Sequence, residues 1–219
     1  MKLNTFDAAI FDMDGTIMDS LGIWERIDYD FLEKKRGIKV PDNYVHAIAA
    51  MSFSEIADYT IKRFNLSDSP EELMQEWTDM AIYEYTHNVP LKPYVREYIN
   101  FLKNHGKKIA LCTSSPEYFF RPALKNNGIY DLFDAFANTC EAGVGKNSPR
   151  VYLLAAEKVG VEPERCLVFE DVISAAASAK KAGMTVCGVY DERSASRQEE
   201  LRSACDMYIK GFNEMMEEK

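Results

Sequence analysis

Short apolar runs alternating with segments of helical period fill the chain beyond Pro90, and they leave few folds open. Ile109-Ala110-Leu111-Cys112-Thr113, a short run near 135–138, Cys166-Leu167-Val168-Phe169 and Thr185–Val189 read as buried strands. Helical segments separate them. One covers 94–105 and ends at Gly106, and one starts at Ser115-Pro116 and closes near Gly128. A third runs from about Pro149 to Val159, and an Ala-rich fourth ends at Gly183. Strands alternating with helices of this length predict an α/β fold whose parallel sheet is joined by right-handed crossovers. Phe6-Asp7-Ala8-Ala9-Ile10-Phe11 supplies one more buried strand ahead of these.

Residues 17–90 have a different character. Apolar side chains recur at helical spacing in Ile23, Trp24, Ile27 and Phe31, and again in Ile56, Tyr59, Thr60 and Phe64. Ser69-Pro70-Glu71-Glu72 is a helix start, with Ser at the cap and Pro at the first position, ahead of Leu73, Trp77, Ile82 and Tyr85. The stretch is predicted to be a helical insert, with 1–16 and 91–219 forming the sheet-bearing part. Pro90 and Pro93 mark a stiff connection out of it.

Charge and cysteine usage exclude some functions. A formal net charge of −9 argues against nucleic-acid binding, because phosphate backbones attract basic surfaces. Any anionic ligand must then be held by local positive charge or a metal. The five cysteines include no CxxC pair, which favours reduced thiols and a cytoplasmic location. No segment is long and apolar enough to span a membrane. The expected partner is a small molecule, and the expected state is a monomer.

The strand ends carry the chemistry. The first strand runs into Asp12-Met13-Asp14-Gly15-Thr16, two acids one residue apart and a glycine that lets the backbone come close to a ligand. The second ends in Thr113-Ser114 and another in Glu170-Asp171, while Gly143-Val144-Gly145-Lys146 places a lysine before the Pro149 helix. Each has a plain structural explanation: a turn, an N-cap run, acids at a helix start, a solvated lysine. All of them would meet at the carboxyl edge of one sheet, where open α/β folds bind ligands.

Taken in order, DxDGT at Asp12–Thr16, Thr113-Ser114, Lys146 and Glu170-Asp171 resemble the haloacid dehalogenase-like superfamily, and most of all its β-phosphoglucomutase-like branch. The resemblance implies a Rossmann-like core with an inserted helical cap at 17–90. It also implies a Mg²⁺-dependent phosphatase acting on a small phosphorylated metabolite. Asp12 would attack phosphorus and form an aspartyl-phosphate, and Asp14 would be the general acid and base. Thr113, Ser114, Lys146 and Gly15 would line the phosphoryl group. Mg²⁺ would be held by Asp12, the Asp14 backbone carbonyl and Asp171, with Glu170 beside them. Trp24, Met51, Ser52 and Phe53 would face the substrate from the cap. Two departures stand out. Lys146-Asn147-Ser148-Pro149-Arg150 carries Arg where the branch has an acid, and Trp24 and Phe53 align with a histidine and an arginine of the mutases. That lack of a cation for a second phosphate favours a phosphatase over the nearest rival, a sugar phosphomutase. A non-catalytic binding protein is the third reading, disfavoured because binding alone does not need Asp14.

Overall fold

The computed structural model describes residues 3–41, 43–48, 51 and 53–216, without the side chains of residues 45 and 46. The chain divides into two compact units, one of Met1–Leu21 with Val89–Lys219 and the other of Gly22–Asn88.

In the larger unit, β1 (Ala8–Phe11) is followed, after the smaller unit, by α5 (Val95–Asn104), β2 (Lys108–Thr113), α6 (Glu117–Asn126) and β3 (Ala135–Asn138). The short α7 (Thr139–Ala142), α8 (Arg150–Val159), β4 (Cys166–Glu170), α9 (Ile173–Lys181), β5 (Thr185–Val189), α10 (Gln198–Ala204) and β6 (Met207–Ile209) complete it. Among the described residues the sheet has six strands in the order β3-β2-β1-β4-β5-β6, and every strand pair is parallel. The expected strands are all present. Helix α10 and strand β6 are additions that the sequence reading did not make.

Alternation along the strands splits the core into two layers. Ala8, Ile10, Ala110, Cys112 and Val168 pack against α8 and α9 through Val151, Ala155, Ala176 and Ala179. On the other face the rings of Phe11 and Phe169 stack 4.8 Å apart, with Tyr98 of α5 and Phe212 packed against them. The chain builds outward from β1 in both directions, so β1 lies at the point where strand order reverses. Ligands of open α/β sheets bind just beyond the carboxyl ends of such strands. Phe11 pairs in register with both Leu111 and Phe169, which brings Asp12, Cys112 and Glu170 to one level at that edge.

The two segments that border the smaller unit belong to the larger one. The Lys92 N–H donates to Ile17 O at 2.9 Å and the Asp19 N–H to Pro90 O at 3.0 Å, with Met18 and Leu91 bridged antiparallel. These backbone bonds draw the boundary in to Leu21 and Val89, inside the 17–90 span read from composition.

The smaller unit contains α1 (Ile23–Tyr29), which runs on into a π-helical turn over Asp30–Lys35, then α2 (Tyr44–Ile48), α3 (Phe53–Phe64) and α4 (Pro70–His87). Ser69 caps α4 as its sequence predicts, in a reciprocal capping box with Glu72. The Trp77 ring contacts Phe31 at 5.3 Å and Phe53 at 5.8 Å, and the Arg36 guanidinium lies 3.7 Å over Phe31 while pairing with Asp68 and Glu76.

Candidate active site

The loop after β1 is folded tightly on itself. Three successive amides, of Thr16, Ile17 and Met18, donate to the Met13 carbonyl, and the Gly15 N–H donates to Met18 O at 3.0 Å. Gly15 has φ +81°, a conformation that disfavours side chains, and an added Cβ would lie 2.5 Å from Asp171 Oδ2. Glycine is required here on both counts. The turn packs directly against the end of β4.

Around it sits a buried ionic cluster. Asp12 is 6% exposed, and its N–H donates to Phe169 O at 3.0 Å, which fixes it beside β4. Lys146 Nζ donates to Asp12 Oδ1 at 2.6 Å and, closer still, to Glu170 Oε1. Tyr152 from α8 donates its hydroxyl to the same Glu170 oxygen at 2.7 Å. Thr16 Oγ1 donates to Asp171 Oδ1 at 2.9 Å. Asp12, Glu170 and Asp171 each bring a carboxylate oxygen within 4.8 Å of the others.

Electrostatics follow from that crowding. Burial works against the charge of Lys146, but Asp12 and Glu170 together outweigh it and hold its pKa well above the ordinary lysine value. Burial raises the Glu170 pKa against the pull of Lys146. Burial also raises that of Asp171, with the charges of Asp12 and Glu170 adding to the effect. Three acids thus face a single lysine, and the group is short of positive charge. Such an all-oxygen set, with Asp12 and Asp171 carboxylates close together, fits a hard divalent cation.

The second acid has its own supports. Ser20 donates to Asp14 Oδ1 at 2.7 Å and Ser115 to Asp14 Oδ2 at 2.8 Å. Ser115 also donates its N–H to the Thr113 hydroxyl at 2.9 Å, which joins the end of β2 to the DxD turn. Thr113 is fully buried, and the Ser114 carbonyl accepts a bond from Thr139 at 3.2 Å. Arg150, the departure from the branch pattern, donates through Nε to Ala142 O at 3.0 Å, tying the start of α8 to the loop that carries Lys146.

Two sets of contacts result, one joining Asp12, Lys146, Glu170 and Asp171 and the other joining Asp14 to Thr113 through Ser115; the Asp12–Thr16 turn, with Gly15 in it, carries members of both, and Ser114 lies beside Thr113. The sequence reading gave no site role to Thr16, which it quoted only as part of the DxDGT motif, to Ser115, which it read as the start of a helix, or to Ser20 and Tyr152. Trp24, Met51 and Phe53 lie in the smaller unit, where the half-exposed rings of Trp24 and Phe53 meet edge-on at 5.8 Å. Ser52 lies outside the described residues.

A family model described as haloacid dehalogenase-like hydrolase matches residues 6–183, most of the chain and all of the ionic cluster. The chain belongs to that family. Hexitol phosphatase B of Escherichia coli (strain K12) is 30% identical over 184 residues, covering 81% of this chain and 80% of that protein. The phosphorylated carbohydrates phosphatase of Thermotoga maritima is 28% identical over 178 residues, covering 81% and 82%. The crystal structure of a putative β-phosphoglucomutase from Thermotoga maritima superimposes with a TM-score of 0.81 at 26% identity, covering 93% of this chain and 94% of that one. These relatives support a phosphohydrolase. No described helix is long and apolar enough to cross a membrane.

Proposed function

We propose that this haloacid dehalogenase-like hydrolase is a Mg²⁺-dependent phosphatase that hydrolyses a small phosphorylated sugar or polyol through an aspartyl-phosphate on Asp12. The observation that carries the reading is the Asp12 carboxylate, held by Lys146 at 2.6 Å at the carboxyl edge of the sheet with a separate acid, Asp14, on the same turn. A carboxylate of this kind is a nucleophile when its charge and that of the ester are offset. Asp12 and Asp171, with Glu170 and the Asp14 carbonyl, are the residues that would hold Mg²⁺, which when bound supplies the divalent charge an anionic ester requires.

The steps balance on this chain's own groups. An Asp12 oxygen bonds to phosphorus as the ester oxygen leaves, and protonated Asp14 gives that oxygen its proton. Asp14, now a carboxylate, takes a proton from water as the water oxygen bonds to phosphorus and the bond from phosphorus to the Asp12 oxygen breaks. Inorganic phosphate leaves, and both acids return to their starting states. Lys146 offsets charge on Asp12 throughout, and the Thr113 hydroxyl, whose oxygen is occupied by the Ser115 N–H, keeps its proton for a phosphoryl oxygen.

The helical unit, inserted directly after the DxD turn, is assigned to selection of the leaving group. Trp24 and Phe53 offer it rings and no charge, which suits the apolar face of a polyol chain or sugar ring and not a second phosphate. The names of the phosphatase relatives support the substrate class. The name of the similar solved structure supports the rival phosphomutase, so the test separates the two. Purified protein with Mg²⁺ is given hexitol and sugar phosphates while inorganic phosphate is measured. In parallel it receives β-glucose 1-phosphate with a trace of glucose 1,6-bisphosphate. Phosphate release abolished by chelator supports a phosphatase, and sustained glucose 6-phosphate formation with little free phosphate would overturn it.

A further inference from the structure

Lys92 lies outside every motif named above, yet its ammonium points into the back of the DxD turn. Nζ donates to the Gly15 carbonyl and to Tyr190 O at 2.8 Å, and it forms an ion pair with Asp191 Oδ2 at 2.7 Å. The pair is buried: the Lys92 side chain is 13% exposed and that of Asp191 5%. Asp191 is itself fixed, since its other oxygen accepts the Arg193 N–H at 2.9 Å and its carbonyl accepts Gln198 Nε2 at 2.9 Å. The backbone of Lys92 is held from the other side by Ile17.

Three segments therefore meet at one ammonium: the turn after β1, the loop after β5, and the segment that returns from the helical unit. Of these only the turn carries candidate catalytic groups. Gly15 stands between Asp14, whose carboxylate must face the ester oxygen, and Thr16, whose hydroxyl holds Asp171. With positive φ at Gly15 no side chain steers the Gly15–Thr16 peptide plane, so its two hydrogen bonds set its orientation: the Thr16 N–H to Met13 O at 3.3 Å, and Lys92 on the Gly15 carbonyl. A buried ion pair is weak evidence for stability, because apolar residues of like volume often serve as well. What apolar residues cannot do is grip a carbonyl.

We propose that Lys92, anchored by Asp191, is a positioning residue that sets the Asp14-Gly15-Thr16 turn and so aims Asp14 at the leaving oxygen. The proposal rests on the reading of Asp14 as general acid and base.

The test compares wild type with Lys92→Met and Asp191→Asn, full chain, with Mg²⁺. Two substrates are used: p-nitrophenyl phosphate, whose leaving group needs no proton, and glycerol 3-phosphate, whose leaving group does. Hydrogen exchange of the Gly15–Met18 amides is read against that of β1 and β4. Lys92→Met should lower kcat on the alkyl phosphate by roughly 100-fold, the low end of what general acid catalysis supplies. The first-turnover burst of nitrophenolate should stay within a few-fold of wild type. Exchange should speed up at the turn alone. Asp191→Asn, which keeps the lysine, should show the same selectivity for the alkyl substrate at smaller size. Equal losses on both substrates, a change in KM only, or unaltered exchange at the turn would overturn the proposal. If Lys92→Met does not fold, the Asp191→Asn pattern decides. If wild type hydrolyses neither ester, the phosphatase reading fails, and the exchange comparison still decides whether Lys92 sets the turn.

Discussion

Asp28 of α1 is a half-buried carboxylate whose pKa is pushed from 3.8 to about 7 by burial, with Glu25 one turn earlier adding repulsion. Tyr44 of α2 also feels its charge; burial pushes that phenol up to about 12, and the Thr60 hydroxyl lies 2.7 Å from it. The consequence for stability has a definite sign. Below the unfolded value both states hold the proton and Asp28 costs nothing. As pH rises above 3.8 the unfolded chain releases the proton while the folded one keeps it, so stability falls until the folded group ionises near 7. One proton per molecule corresponds to about 1.4 kcal/mol per pH unit, and the whole interval amounts to a penalty of roughly 4 kcal/mol, an upper bound for a group that keeps some solvent. Asp28→Asn keeps the shape and removes the charge. The variant should gain on wild type by ~1.4 kcal/mol for each pH unit between about 4.5 and 6.5 and hold its advantage above 7. Trp24 and Trp77 are the chain's two tryptophans and both belong to the helical unit, so urea unfolding followed by tryptophan fluorescence reports on that unit. Parallel pH–stability curves for variant and wild type would refute the reasoning.

The other predictions concern the turn and the ionic cluster. Asp12→Asn should abolish steady-state phosphate release while leaving circular dichroism unchanged, because an amide cannot form the acyl phosphate; substantial turnover by the folded variant would remove Asp12 as nucleophile. Lys146→Met should lower kcat by roughly 100- to 1,000-fold at saturating Mg²⁺, the range for losing one preorganised electrostatic partner, and a shift in KM alone would limit Lys146 to uniform binding. Gly15→Ala should destabilise the larger unit by about 1–3 kcal/mol through its positive φ. It should also weaken Mg²⁺ binding, because the new methyl displaces Asp171; thermal unfolding with and without Mg²⁺ measures both effects.

Legibility followed the range of the interactions. β1, β2, β4 and β5 were readable because each is a short apolar run bounded by turn residues, and their polar ends announced the edge of the sheet. Helix α10 and strand β6 were not, because burial there falls on isolated residues: Leu201 in the helix and Ile209 in the strand. One apolar contact sets no period. The same logic divides the site. The acids, Thr113 and Lys146 stood at strand ends or in a glycine loop. Ser115 read as a capping residue beside Pro116, whereas its hydroxyl reaches Asp14 from 101 positions along the chain. Tyr152 and Val151 are neighbours on the buried side of α8, and nothing local distinguishes a core tyrosine from one whose hydroxyl must find Glu170. Lys92 stands between two prolines in a connecting segment, where no motif marks it.

The cluster and the turn are held by opposite electrostatic devices. Among the described residues Asp12, Glu170 and Asp171 share one lysine, and burial, with repulsion from the neighbouring acids added to it, holds the pKa values of Glu170 and Asp171 up. An anionic ester entering that pocket would deepen its shortage of positive charge, so the same deficit that disfavours phosphate alone favours a divalent cation and phosphate together. In the proposed mechanism Asp14 alternates between donor and acceptor, a role that a neighbouring charge fixing its protonation would impair. The neutral hydroxyls of Ser20 and Ser115 are among its supports. Lys92, the cation behind its turn, is paired with Asp191 and donates to two carbonyls. Positioning by carbonyl, with the charge cancelled in place, orients Asp14 without lending the pocket a second lysine. Asp191→Asn keeps the lysine but loosens its anchor, so its selective loss on the alkyl ester should come with faster exchange at the turn, both smaller than in Lys92→Met.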